Sequence, residues 1–138
     1  MEFGIFVQMP IYGPSAHDPA AEHEAAMLDV DLIVAADQHN FKYAWVSEHH
    51  GSSDGYLPSL LPMLAAFAAA TERIELGTGV VLTPLHDPLR LAEDAAVVDQ
   101  LSGGRLILGI GNGWREEEFR MFGASTAAPT WVDYGVAF

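Results

Sequence analysis

The sequence contains no cysteine, which excludes disulfide scaffolds, thiolate metal sites and a cysteine nucleophile. Basic residues are scarce as well, because 6 Lys and Arg stand against 19 Asp and Glu and give a formal net charge of −13. Such a chain repels phosphate backbones and anionic lipids, so we predict no nucleic-acid partner and no membrane partner. No apolar run is long enough to span a bilayer, and the acidic Glu2 does not suit a secretory signal peptide. We therefore expect a cytoplasmic protein.

Apolar residues are what the chain has in abundance, at 50% of its 138 residues, which is enough for the core of one domain. Four short apolar runs alternate with stretches of helical periodicity. The predicted strands are residues 3–9, 43–47, 74–82 and 105–110, and the predicted helices are residues 20–40, 58–70, 88–102 and 116–122. Strands that are apolar throughout are typical of buried parallel strands, so the order βαβαβαβ predicts an α/β fold.

Polar residues and glycines follow each predicted strand, at the end where ligands collect in parallel α/β proteins. The most distinctive group is Glu48-His49-His50 after the second strand. These residues invite a metal-site interpretation, but no third ligand stands at a recognisable spacing, so we predict no metal. A histidine that transfers a proton or orients a substrate is the preferred interpretation. The alternative is that one of the pair only satisfies buried polar groups.

Two glycine-containing runs, residues 77–79 and 109–113, also lie in or after predicted strands. The second run does not match the dinucleotide-binding pattern G-x-G-x-x-G, because Trp114 stands where the third glycine is needed. In residues 77–79 the glycines indicate a close approach to the backbone or an unusual dihedral angle, and in residues 109–113 they indicate that a flat ring or a neighbouring strand approaches the backbone closely. For residues 109–113, a tight turn between strand and helix explains them equally well.

Three stretches resemble the bacterial luciferase-like family of flavin-dependent monooxygenases: residues 45–50 (WVSEHH), the long run 74–114, and residues 118–123. The likeness extends over about residues 1–123, whereas residues 124–138 do not resemble the way family members continue. The resemblance implies a (β/α)₈ barrel of the TIM type, truncated to about its first four βα units. Residues 1–123 would be the N-terminal half of that barrel, and residues 124–138 a divergent C-terminal tail.

The resemblance further implies a monooxygenase, or its N-terminal portion, that inserts oxygen from dioxygen into a small organic substrate. Its cofactor would be reduced FMN supplied by a flavin reductase, with a deazaflavin coenzyme as the alternative. By the same resemblance His49 is the catalytic residue, and the peptide bond between Gly79 and Val80 is cis. The implied cofactor-binding residues are Met9, Gly79, Val80, Gly111 and Asn112. Asn112 differs from the basic residue that helps to hold the phosphate in bacterial luciferase.

The alternative function is that of a non-catalytic half-barrel paralogue or assembly module. Four parallel strands would leave two unpaired edges, so we expect a homodimer or a complementing chain rather than a simple monomer, and weak flavin binding by the chain alone. The helix at residues 57–70 is apolar nearly all round, which places it in a subunit interface. The residues expected on the inner face of the barrel are Ile5, Val7, Val46, Val80 and Ile107.

Overall fold

The computed structural model describes residues 1–8, 18–52 and 56–124, so the predicted cofactor-binding residue Met9 lies outside the described residues. The strands are β1 (Gly4–Val7), β2 (Tyr43–Val46), β3 (Glu75–Thr78), β4 (Val81–Leu82), β5 (Leu106–Ile107) and β6 (Ile110–Gly111). The helices are α1 (Pro19–Gln38), α2 (Leu60–Ala70), α3 (Pro88–Ser102) and α4 (Glu116–Phe122). A short 3₁₀ turn, Thr83–Leu85, leads from β4 into α3. Among the described helices, none combines the length and apolarity needed to cross a bilayer.

The strands form two parallel sheets, as the α/β prediction required. One has four strands in the order β1-β2-β3-β5, and the other pairs β4 with β6. Two strands predicted as single elements, residues 74–82 and 105–110, are each divided in two. At the break the Thr78 hydroxyl donates to the Gly109 carbonyl over 2.7 Å and accepts from the Gly109 N–H over 2.8 Å, in place of a regular ladder. The peptide bond between Gly79 and Val80, which lies in this break, is cis, as the resemblance implied.

The hydrophobic core lies between the four-stranded sheet and the helices α1, α2 and α3, with α2 in contact with both other helices. Fully buried core residues come from both layers: Ile33, Leu64, Phe67, Ala44, Val46 and Leu76. Burying each large side chain of this kind stabilises the fold by about 1.5–3 kcal/mol. The core therefore fixes the helices on one face of the sheet and orients the strand ends.

The second face of the sheet has no described helix over it. The register aligns Phe6, Trp45, Gly77 and Ile107 in one row across the four strands, so their side chains share this face. Phe6 is 51% exposed there. A Cβ atom on Gly77 would collide with the indole of Trp45, so glycine is required for this tryptophan to lie against β3. This open face corresponds to the interior of a closed barrel.

The predicted composition of that inner face was partly wrong. Ile107 lies on it as expected, but Ile5, Val7 and Val46 point to the opposite face and pack with the helices in the core. The error has a physical cause. A strand that is apolar on both faces shows no alternation, so its sequence does not reveal which parity faces the helices.

Helix α3 begins and ends as its sequence predicts. The side chain of the N-cap residue Asp87 accepts a hydrogen bond from the backbone N–H of Arg90 over 2.9 Å, and Pro88 occupies the first turn. The helix ends at Gly103, whose φ of 69° is in the left-handed region that favours glycine. These signals set the direction in which the chain returns to β5.

Helix α2 is covered by the described chain on one side only. Pro62, Ala66, Ala69 and Ala70 are exposed, while its large residues are buried against the sheet and the neighbouring helices. An apolar stripe of small residues thus remains on the outer surface. The location of this helix in a subunit interface stays a prediction.

Two buried polar networks tie the helices to the amino ends of the strands. Asp37, at the end of α1, is 7% exposed and accepts three backbone N–H groups: Glu72 at 3.0 Å, Arg73 at 3.1 Å and Ile74 at 2.8 Å. Burial by itself raises the pKa of this carboxyl, but the three donors and the Arg73 charge outweigh it and hold the pKa below its usual range. The segment between α2 and β3 is therefore anchored by an ionised aspartate.

Arg105, just before β5, is the centre of the second network. All five guanidinium N–H donors are used: Nε bonds the Ser102 carbonyl, Nη1 bonds Thr71 Oγ1 and the Ile74 carbonyl, and Nη2 bonds the Ala68 and Thr71 carbonyls. These acceptors belong to the ends of α2 and α3 and to the segment before β3. One side chain thus joins two helices and a strand at the amino ends of the strands. The candidate site lies at the opposite, carboxyl ends.

Candidate active site

His49 lies just beyond the carboxyl end of β2, and its ring is held on two sides. Its Nδ1 atom is 3.2 Å from Oε1 of Glu118, and the Tyr56 ring meets it edge-on with centroids 4.9 Å apart. The Tyr56 hydroxyl in turn donates to the side-chain oxygen of Gln8, the residue that follows β1, over 3.2 Å. The imidazole remains 26% exposed, so it is oriented by the protein and still accessible.

Glu118 reaches this site from α4 and is only 1% exposed. Besides His49, its Oε1 accepts the backbone N–H of His50 over 3.0 Å, and the Arg115 guanidinium lies 3.6 Å away. A buried carboxylate is costly unless donors and a cation compensate it, and here both are present. This role of Glu118 was not predicted from the sequence. No periodic signal in the sequence distinguishes Glu118 from the two glutamates before it.

Glu48 forms a separate cluster with the second histidine of the pair. Its Oε1 lies 2.7 Å from Nε2 of His50 and 2.7 Å from Nε2 of His86, and its Oε2 accepts the Leu82 N–H over 2.7 Å. Burial by itself raises the pKa of Glu48, but these three donors outweigh it and hold the pKa below its usual range. The proposed alternative for the pair, a histidine that satisfies a buried polar group, therefore describes His50. The roles of Glu48 and His86 were not predicted from the sequence.

The predicted cofactor-binding residues are brought together in part. Val80 is 36% exposed, and a Cβ on Gly111 would lie 2.6 Å from its Cγ2, so the glycine leaves room for this valine. A Cβ on Gly79 would lie 3.2 Å from the Phe6 ring. These contacts place Gly79, Val80 and Gly111 on one apolar surface at the ends of the strands. Asn112, the next residue after β6, is exposed.

This surface is apolar, as a flavin ring requires, and the cations that could bind its phosphate already have partners in the described part of the chain. A flat ring needs an apolar surface with few polar groups, and Gly79, Val80 and Gly111 bring no polar side chain to it. A phosphate needs a cation or a helix N-terminus. All six Lys and Arg residues lie in the described part of the chain, five of them in ion pairs and Arg105 in its carbonyl network. Within the described part of the chain, no group of His, Asp and Glu is arranged to hold a metal ion.

The fold and the candidate site define an α/β protein in which polar side chains gather at the carboxyl ends of parallel strands, where ligands bind in this class. Comparison with known proteins then gives the family. The sequence model of the luciferase-like monooxygenases matches residues 1–131, and the chain belongs to this family. The predicted family and the truncated TIM-type fold are thereby confirmed.

Individual relatives show how much of a family member the chain represents. The 4-hydroxyprotoasukamycin monooxygenase of Streptomyces nodosus subsp. asukaensis is 35% identical, with 92% of this chain and 33% of that protein covered. The oxygenating constituent of 3,6-diketocamphane monooxygenase from Pseudomonas putida, solved in complex with FMN, superposes with a TM-score of 0.78 at 26% identity, covering 89% of this chain and 32% of that one. The coenzyme F420 dependent tetrahydromethanopterin reductase from Methanopyrus kandleri gives a TM-score of 0.65 at 29% identity, covering 88% and 30%. The chain thus spans about a third of the length of these relatives.

Proposed function

We propose that the chain contributes the histidine side of the active site of a flavin-dependent monooxygenase. The enzyme would insert one oxygen atom from dioxygen into a small organic substrate. The observation that carries this proposal is His49, an accessible imidazole at a strand end whose Nδ1 contacts a buried carboxylate. Family membership supports the reaction class. When bound, the flavin would supply the chemistry that activates dioxygen. The protein supplies binding, orientation and proton transfer.

In this proposal the residues of the chain divide the work as follows. Gly79, Val80 and Gly111 form the apolar surface against the flavin ring and exclude water from it. Asn112, and Met9 outside the described residues, would border the same ring. His49 takes up or releases a proton at Nε2, the ring atom that has no hydrogen-bond partner among the described residues.

Reduced FMN is the proposed cofactor, supplied by a separate flavin reductase. The FMN complex of the diketocamphane enzyme supports FMN, and the description of that protein as an oxygenating constituent supports a separate partner. The F420-dependent relative keeps a deazaflavin as the alternative.

The phosphate clamp lies outside the described residues in this proposal, because all the cations of the chain are engaged. The barrel would be completed by a homodimer or by a complementing chain, and the apolar outer stripe of α2 would lie in the subunit interface. We therefore expect the chain alone to bind FMN and riboflavin weakly and equally, which calorimetric titration measures. At least tenfold tighter binding of FMN would reveal a phosphate site and contradict this part of the proposal.

The activity is tested on the chain combined with a complementing C-terminal half-barrel, in the presence of FMN, a flavin reductase with NADH, ¹⁸O₂ and a panel of terpenoid, ketone and aromatic substrates. We expect a product that carries one ¹⁸O atom. His49→Ala should slow its formation by about 10²–10⁴-fold with little change in melting temperature. His39→Ala, at an exposed histidine that ends α1, is the matched control and should change neither. No labelled product with any complementing chain would favour the non-catalytic half-barrel.

A further inference from the structure

We infer that Glu118 is a positioning residue for His49, and that it holds the proton on Nδ1 so that Nε2 is the basic nitrogen. The inference rests on the proposed function of His49 and adds the residue that sets its reactive atom. It also predicts that the adjacent histidines 49 and 50 occupy opposite neutral tautomers.

The contact between Glu118 and His49 determines which nitrogen carries the proton. An ionised carboxylate only accepts hydrogen bonds, so the Nδ1 atom that lies 3.2 Å from Oε1 must be the donor. The negative charge of Glu118 is compensated by Arg115 at 3.6 Å and by the His50 N–H at 3.0 Å. Because Glu118 is 1% exposed, water competes little for the carboxylate. A neutral ring that donates from Nδ1 has its lone pair on Nε2.

His50, the neighbouring histidine, is held through its other ring nitrogen. Nε2 of His50 is 2.7 Å from the buried Glu48 carboxylate, so this ring donates from Nε2. Its side chain is 11% exposed and packs edge-on against Phe122 with centroids 4.5 Å apart. Two buried glutamates thus bind different nitrogens of adjacent rings. Glu48 uses the Nε2 atom of His50, whereas Glu118 leaves the Nε2 atom of His49 available.

The tautomers are measured on the 138-residue chain by two-bond ¹⁵N–¹H correlation spectra of ¹⁵N-histidine, recorded at a pH where both rings are neutral. His49→Gln and His50→Gln assign the two signals. We expect a protonated Nδ1 in His49 and a protonated Nε2 in His50. A protonated Nε2 in wild-type His49 would overturn the inference, and this readout needs no variant at position 118 to fold.

Glu118→Leu, which removes the acceptor oxygens at similar side-chain size, then tests the cause. We expect the His49 signal to lose its Nδ1–H pattern while that of His50 keeps its Nε2–H pattern. Glu117→Leu, at an exposed neighbour on α4, is the matched control and should leave both patterns intact. An unchanged His49 tautomer in folded Glu118→Leu would show that Glu118 does not position the ring.

The ¹⁸O₂ assay separates this inference from the proposed function. Glu118→Leu should lower kcat by about 10²-fold or more with KM nearly unchanged, and Glu118→Asp should restore part of the loss. Opposite tautomers without any labelled product would contradict the proposed function and leave the positioning role intact. Labelled product formed at the wild-type rate by Glu118→Leu would contradict the positioning role and leave the proposed function intact.

Discussion

Replacing Arg105 tests whether its network at the amino ends of the strands holds the layer together. The five guanidinium bonds join the end of α2, the end of α3 and the segment before β3. Arg105→Ala removes all of them and leaves four backbone carbonyls without this partner. Arg105→Lys keeps the charge, but its three N–H donors lie on a single nitrogen and cannot reach acceptors on all three sides.

The size of the effect follows from the number of bonds. Each hydrogen bond contributes about 0.5–1 kcal/mol net when water partly replaces it, because Arg105 is half-buried. Five bonds therefore predict a loss of about 2.5–5 kcal/mol for Arg105→Ala. Two or more lost bonds predict about 1–2 kcal/mol for Arg105→Lys. Domains of this size have total stabilities of about 5–15 kcal/mol, so either change is a measurable fraction.

Urea denaturation of the 138-residue chain measures these losses as shifts in midpoint at an unchanged m value. Arg90→Ala and Arg90→Lys are the matched controls, because the Arg90 side chain is 72% exposed and its ion pairs with Glu93 and Asp94 lie on the surface. We expect both controls to stay within about 0.5 kcal/mol of wild type. Equal midpoints for the Arg105 and Arg90 variants would refute the reasoning, since the network would then add nothing to folding.

Three further predictions concern other parts of the fold. Since the pKa of Asp37 is lowered, its contribution is present above about pH 4 and is lost as pH falls through the folded pKa. Asp37→Asn should therefore cost about 1–3 kcal/mol at pH 7 and less at pH 3 in urea titrations, and an equal cost at both pH values would contradict this. Gly77→Ala should destabilise the chain by about 1–3 kcal/mol because its Cβ meets Trp45, and the same change should cost less in a Trp45→Ala background, where the indole that it meets is absent. Ala66→Glu should reduce self-association in sedimentation experiments, whereas a wild-type chain that is monomeric at micromolar concentration would contradict an interface on α2.

Local chemistry made part of the fold predictable. Asp87-Pro88 and Gly103 mark the limits of α3 because a cap, a proline and a left-handed glycine act within one helical turn. The division of the third and fourth predicted strands was not predictable in this way. It depends on Thr78 bonding to Gly109, a partner 31 residues away.

The position of the candidate site was predictable from the sequence, but the contacts between its side chains were not. His49 was found because polar residues after a buried parallel strand lie where ligands collect. Its partner Glu118 stands 69 residues later in a run of three glutamates, and only the folded chain shows which of the three is buried. The same holds for His86 and Glu48, which are 38 residues apart. Long-range pairs of this kind leave no periodic signal in a single sequence.

The order of strands in the main sheet, β1-β2-β3-β5, is also their order along the chain. Each new strand therefore adds to an edge that has already been synthesised, and no strand has to wait for a partner encoded much later. Loop closure then involves one βα unit at a time, and each closure spans a single helical connection. The layer is thus suited to stepwise growth from its amino terminus during translation, each helix covering the strand before it as the next one emerges.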